Sequence, residues 1–205
     1  MSELHYPALA TLPVKVVSGT LEAYRTVTLA ALCKYSPDPL NTAGSRITGG
    51  RYNPPEEFVQ AFEMLYLAEN TAVAHAEARA ITVVGVSGGG VQIQPGPAAL
   101  PRLDICVHLE LRSLLDLTDP QVLGVLKVSH SDLLGEWFPL NRQGRLALTQ
   151  QLALEARQTG RFEGLLYPSA RYPGGKNYAI HPDLVPPERR TIHDPEGELR
   201  VFTAP

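Results

Sequence analysis

The chain has 205 residues, 44% hydrophobic and 19% charged, with 17 glycines and 18 prolines. That length holds one domain with a true core rather than two full-sized ones, and the composition excludes a disordered or coiled-coil protein. A formal net charge of -3 supplies no general attraction toward nucleic acid or an anionic membrane, so direct nucleic-acid binding is not expected.

The opening segment MSELHYPALA lacks a basic stretch followed by an apolar one. No run approaches the roughly 18 apolar residues of a spanning helix, and the expectation is a cytoplasmic protein with no membrane segment. Residues 1–19 lead into Leu21–Leu32, whose β-branched content predicts a first strand around Tyr24–Thr28. Ser36–Pro55 carries Pro37, Pro39, Gly44, Gly49, Gly50, Pro54 and Pro55, too punctuated for a regular element but able to hold special backbone geometry near a ligand. Met64–Ala68 reads as a short buried strand, and Asn70 or Thr71 caps a helix running to about Ala80. Ile81–Val86 and Val91–Gln94 flank Ser87-Gly88-Gly89-Gly90 as a hairpin.

In Leu103–Arg112 the residues Leu103, Ile105, Val107, Leu109 and Leu111 alternate with polar ones, predicting a strand with one buried face. Asp119-Pro120 starts a short helix through Leu126, and Leu146–Gln158 reads as a longer helix stopped by Gly160. Gly164–Tyr167 and Asn177–Ile180 are strands bracketing a turn-rich Pro168–Gly175, with a last strand at Leu199–Thr203. The fold class expected is α+β, a single domain with a mixed sheet and flanking helices.

Cys33 and Cys106 are isolated and the six histidines scattered, without CxxC or HExxH, so neither a disulfide framework nor a metal site is expected. Glu77 is the most informative polar position. At helical spacing its neighbours are Val73, Ala74, Ala80 and Ile81, while Thr71, His75 and Arg79 align on the solvent side. A carboxylate on an apolar face is costly unless it is paired or lines a polar site, which leaves an internal ion pair, a rim position or a catalytic carboxylate. Gly49-Gly50-Arg51-Tyr52-Asn53 sets a guanidinium, a phenol and an amide behind two permissive residues, either a ligand loop or an exposed turn. Tyr66 reads as a strand tyrosine with its hydroxyl satisfied nearby, and Ser169 alone as a turn serine. Gly85-Val86-Ser87-Gly88-Gly89 matches the hydrolase G-x-S-x-G pattern, followed in triad order by Asp183 and His193, but Pro95, Gly96 and Pro97 rule out the helix that must follow. Nothing matches a Walker or Rossmann fingerprint.

Taken together, Tyr24-Arg25, Gly49-Gly50-Arg51-Tyr52-Asn53, Leu65-Tyr66-Leu67-Ala68-Glu69 leading to Glu77, and Pro168-Ser169-Ala170 with Asn177 beyond resemble the RES domain over roughly residues 20–185, within a single domain spanning 1–205. Tyr52 stands where that family's GGRWN signature has tryptophan, keeping an aromatic ring. The resemblance implies an ADP-ribosyltransferase-like fold and a toxin paired with an Xre-like helix-turn-helix antitoxin that carries the DNA contact. It also implies cleavage of NAD+ at the nicotinamide–ribose bond. NAD+ is then a substrate rather than a resident cofactor, and water or inorganic phosphate is the acceptor. By motif position Glu77, Arg51 and Ser169 are the implied catalytic set, and Arg25, Arg51, Tyr52, Asn53, Tyr66 and Ser169 the implied NAD+-binding set, with no metal. In these roles Glu77 stabilises charge developing on the ribose, Arg25 and Arg51 hold the diphosphate or a phosphate acceptor, Tyr66 bounds the nicotinamide, and Ser169 bonds the ribose or orients Glu77. Transfer of ADP-ribose to a protein and a non-catalytic RES regulatory domain are the alternatives. Retention of both arginines, Tyr66, Glu77 and Ser169 speaks against the latter.

Overall fold

The computed structural model describes residues 5–35, 38–87, 90–96 and 100–199. A 3₁₀ turn at Pro7–Ala10 precedes β1 (Leu21–Thr28), where Thr26, Val27 and Thr28 supply the β-branched run. The chain then enters α1 (Leu29–Tyr35), a helix the sequence pattern does not predict. Its first residues, Leu29-Ala30-Ala31-Leu32, are strong helix formers, and Thr28 Oγ1 accepts the Ala31 amide at 3.2 Å. A second helix, α2 (Ala43–Thr48), corrects the expectation of an irregular Ser36–Pro55. It fits between Pro39 and Gly49, and the Asn41 side chain accepts the Ala43 amide at 2.7 Å.

β2 (Leu65–Ala68) and α3 (Thr71–Glu77) form where expected, with Asn70 Oδ1 accepting the Val73 amide at 3.0 Å. α3 stops at Glu77 rather than Ala80, and Arg79 turns the chain with a left-handed φ of 57° into the β-branched run that begins at Ile81. β3 (Ile81–Ser87) and β4 (Gly90–Pro95) pair as a separate two-stranded sheet, so Gly85 and Ser87 sit in a hairpin and not before a helix. In β5 (Arg102–Leu109) Ile105, Val107 and Leu109 are buried, as their alternation requires. β6 (Leu114–Asp116) precedes α4 (Pro120–Leu126), capped by Asp119, then α5 (His130–Leu134), α6 (Phe138–Arg142) and α7 (Leu148–Gln158). β6, α5 and α6 were not expected. β7 (Gly164–Pro168) and β8 (Lys176–Ile180) follow, then β9 (Arg190–Ile192). The strand expected at Leu199–Thr203 lies, beyond Leu199, outside the described residues.

Among the described residues seven strands form one sheet in the order β6-β7-β8-β2-β1-β5-β9, with β6 parallel to β7 and every other pair antiparallel. The fold is therefore α+β with a mixed sheet and flanking helices. Alternation along β2 divides the core: Tyr66 faces the cluster built by Tyr52, Phe162, Leu165 and the α7 residues Leu152 and Ala153, whereas Leu65 and Leu67 face Ile105, Val107, Leu109 and Ile180 on the other side. Registers Tyr24↔Ala68, Ala68↔Asn177 and Tyr167↔Asn177 make a transverse row across β1, β2, β8 and β7. β1 and β2 pair at that single position, so Arg25–Val27 and Tyr66–Leu67 face a gap rather than each other. Among the described residues no helix is long and apolar enough to cross a membrane.

One core group sets a pH dependence of stability. His181, just after β8, is 0% exposed, packs on Phe62 with ring centroids 5.6 Å apart, and among the described residues neither ring nitrogen has a hydrogen-bond partner. Burial pulls its pKa from 6.5 down to about 4, partly opposed by Asp183. The folded state resists the proton, so its contribution is complete above the unfolded value near 6.5 and is lost as the pH falls toward 4. The loss over that window is about 3 kcal/mol. Urea unfolding between pH 7 and 5 is expected to show about 2 kcal/mol of this loss in the wild type and much less of it in His181→Phe. Equal losses in both proteins would assign the effect to carboxylates instead.

Candidate active site

The gap between β1 and β2 opens into a cleft of about 470 Å³, the size of a small-molecule site, lined by residues of β1, the Pro39–Asn41 stretch, the Gly49–Arg51 turn, β2, α3, β7 and β8. Glu77, the last residue of α3, reaches into it. Its Oε1 accepts from Ser169 Oγ at 2.6 Å and from Asn177 Nδ2 at 2.8 Å, while Oε2 lies 3.9 Å from Arg171 Nε. Of the apolar face read around Glu77, Val73 and Ala74 are buried, whereas Ala80 and Ile81 lie beyond the end of the helix. The buried residues dock the helix so that the carboxylate is delivered to the end of the β7–β8 hairpin. Ser169 is held in turn by the amides of Arg171 and Tyr172, at 3.1 and 2.9 Å. Its hydroxyl is thus oriented to donate to Glu77.

Arg25 and Arg51 both line the cleft, each with one guanidinium nitrogen already engaged. Arg25 Nη1 donates to Pro39 O and Asn41 O at 3.0 and 3.1 Å, and burial lowers its pKa against the opposing pull of Asp38. Arg51 Nη1 donates to Leu133 O and Gly135 O at 2.9 and 2.6 Å. Tyr66 lies on the cleft floor with its hydroxyl donating to Asn53 Oδ1 at 2.7 Å and accepting the Tyr52 amide at 2.9 Å. Burial drives its phenol pKa far up, so it stays a neutral donor.

Two members of the implied binding set do not reach the cleft. Tyr52 is 0% exposed, its ring 4.3 Å from that of Tyr167, and its side chain belongs to the core. Asn53 is equally buried, and its Nδ2 donates to Ser45 O at 2.7 Å and Phe62 O at 3.1 Å. Both hold the loop from beneath, Tyr52 by its ring contact with Tyr167 and Asn53 by its bonds to Ser45 O and Phe62 O. Gly50 is required for packing: a Cβ there would meet the Tyr66 hydroxyl at 2.5 Å. Gly49 adopts φ +71°, a conformation that glycine favours. Gln150 of α7 closes the arrangement by donating to Gly50 O at 2.8 Å.

Sequence reasoning missed Gln150, Arg171 and Trp137 and gave Asn177 no role, although Asn177, Arg171 and Trp137 line the cleft. Asn177 was legible as part of the motif order. Arg171 and Trp137 sit in turn-rich segments whose placement no periodicity encodes. Ser169 lines a second cavity, of about 600 Å³, which also takes in Arg171, His130 and Lys176. Among the described residues no group of histidine, cysteine, aspartate and glutamate is arranged to hold a metal ion, and Cys106 is a free thiol.

A split mixed sheet carrying an oriented carboxylate among arginines and aromatic rings defines an α+β protein with a polar, arginine-lined cleft. Residues 22–201 match the profile of the RES domain, and the chain belongs to that family. A chain in the crystal structure of the M. tuberculosis MbcT-MbcA toxin-antitoxin complex has a similar fold, with a TM-score of 0.62, 18% identity, and coverage of 94% of this chain and 91% of that one. No curated protein gives a significant match.

Proposed function

We propose that this chain is the toxin of a toxin–antitoxin pair and cleaves NAD+ between nicotinamide and ribose. The observation that carries the reading is Glu77, a carboxylate held by two neutral donors, Ser169 and Asn177, in a cleft walled by Arg25, Arg51 and Arg171. Neutral donors fix its direction without cancelling its charge. Breaking this bond moves the positive charge of the pyridinium onto the ribose, where a fixed anion stabilises the transition state. Nicotinamide leaves as a neutral molecule and needs no acid. One carboxylate therefore suffices, unlike the pair that ordinary glycoside hydrolysis requires. The remaining donors of the three guanidinium groups suit the diphosphate.

Family membership and the neighbour named as a toxin–antitoxin complex support the toxin role. The partner in this reading is an Xre-like helix-turn-helix antitoxin that carries the DNA contact. Incubating the protein with NAD+, with and without inorganic phosphate, tests the chemistry: ADP-ribose is the product of hydrolysis and a phosphorylated ADP-ribose that of phosphorolysis. No release of nicotinamide under either condition would refute it. Ser169→Ala removes one of the two bonds that orient Glu77, and is expected to lower kcat roughly 10- to 100-fold with little change in KM. A change confined to KM would make Ser169 a ribose contact instead.

A further inference from the structure

Trp137 is the single tryptophan of the chain, and it lines the cleft from the connection between α5 and α6. Its ring meets Phe138 edge-on, with centroids 5.6 Å apart and planes at 86°. The other aromatic walls are more committed. Tyr66 is tied by its hydroxyl to Asn53 and Tyr52, Tyr167 is 7% exposed, and Tyr24 packs on Val73 and Ala74.

Arg51 reaches the backbone just before Trp137. Its Nη1 donates to Leu133 O and Gly135 O, the carbonyls left without partners where α5 ends, two to four residues before Trp137. The backbone of Arg51 is itself anchored, since Thr149 Oγ1 donates to Arg51 O at 2.6 Å and Gln150 secures Gly50 O. The guanidinium is thus a strut from the rigid Gly49–Asn53 turn to the segment that carries the tryptophan. Nη2 and Nε make no hydrogen bond among the described residues, so the strut still presents donors to an anion.

Resting on the NAD+ reading above, we propose that Trp137 is the stacking wall for a planar ring of the dinucleotide and that Arg51 is the positioning residue that sets it. Trp137 makes the ring contact and Arg51 acts through it. Tryptophan offers the largest π face for a base, and the best one for a cationic pyridinium.

Because Trp137 is the only tryptophan, its fluorescence reports this contact directly. In Glu77→Gln protein, which leaves substrate intact, NAD+ is expected to quench the emission saturably, with the same Kd that calorimetry gives. Quenching by ADP-ribose as well identifies the stacked ring as adenine, and quenching by NAD+ alone identifies it as nicotinamide. Trp137→Ala is expected to weaken NAD+ binding roughly tenfold, with Trp137→Phe restoring most of it. Without ligand, Arg51→Gln is expected to red-shift the emission and open Trp137 to acrylamide, and Arg51→Lys to reverse this in part. Calorimetric binding with unchanged emission, or Trp137→Ala with full affinity, would overturn the ring contact; an unshifted Arg51→Gln spectrum would overturn the strut. Failure of the wild type to bind NAD+ at all would instead refute the underlying NAD+ reading, and the ring contact would fall with it.

Discussion

Glu77→Gln is expected to cut nicotinamide release from NAD+ by roughly 10³-fold while the protein remains folded. The substitution keeps an oxygen that can accept from Ser169 Oγ and Asn177 Nδ2, so the local hydrogen bonds survive and only the charge is lost. Glu77 is partly exposed, with a third of its side-chain surface open, so removing its charge leaves no buried partner ion behind. Unchanged thermal unfolding together with lost turnover would separate a chemical role from a structural one. A fully active Glu77→Gln would eliminate the carboxylate as the centre of the reaction.

Asn53→Ala is expected to act on stability instead. Asn53 accepts from the Tyr66 hydroxyl and donates to the carbonyls of Ser45 and Phe62, all at 3.1 Å or less and with its side chain fully buried. Truncation strands all three groups and leaves a void. The cost is about 3 to 5 kcal/mol, which for a chain of this length lowers Tm by about 10 °C. Had Asn53 been a ligand contact, Ala would leave Tm unchanged and raise the KM for NAD+, so differential scanning calorimetry beside a KM measurement decides between the two roles.

These two residues show how motif and geometry diverge. The Gly49–Asn53 segment was recognisable as a unit, but the motif does not say which of its side chains face the ligand. Tyr52 and Asn53 are buried in the core, and Arg51 between them and Gly50 lines the cleft. The Ser169–Glu77 contact joins positions 92 residues apart and depends on the β7–β8 hairpin lying against the end of α3. Local pattern carries no information about such a meeting. Some of what was missed was nonetheless written locally. Ser129 and Asp132 form a reciprocal capping box, with Asp132 Oδ2 accepting the Ser129 amide at 2.8 Å, and that S-x-x-D spacing announces α5.

The sequence by itself determined the elements whose signals are short-range: the alternation of β5, the Asp119 cap, the helix of α7 and the strands at Gly164 and Asn177. It also settled the α+β class, because period and punctuation depend on neighbouring residues alone. Tertiary structure decided the strand order, the single-register contact between β1 and β2 that leaves the cleft open, and the inward turn of Tyr52 and Asn53. It also brought Arg171 and Asn177 to Glu77 and set Trp137 in the wall of the same cleft. Those outcomes follow from which faces can be buried together across the whole chain, a global packing condition that local periodicity does not contain.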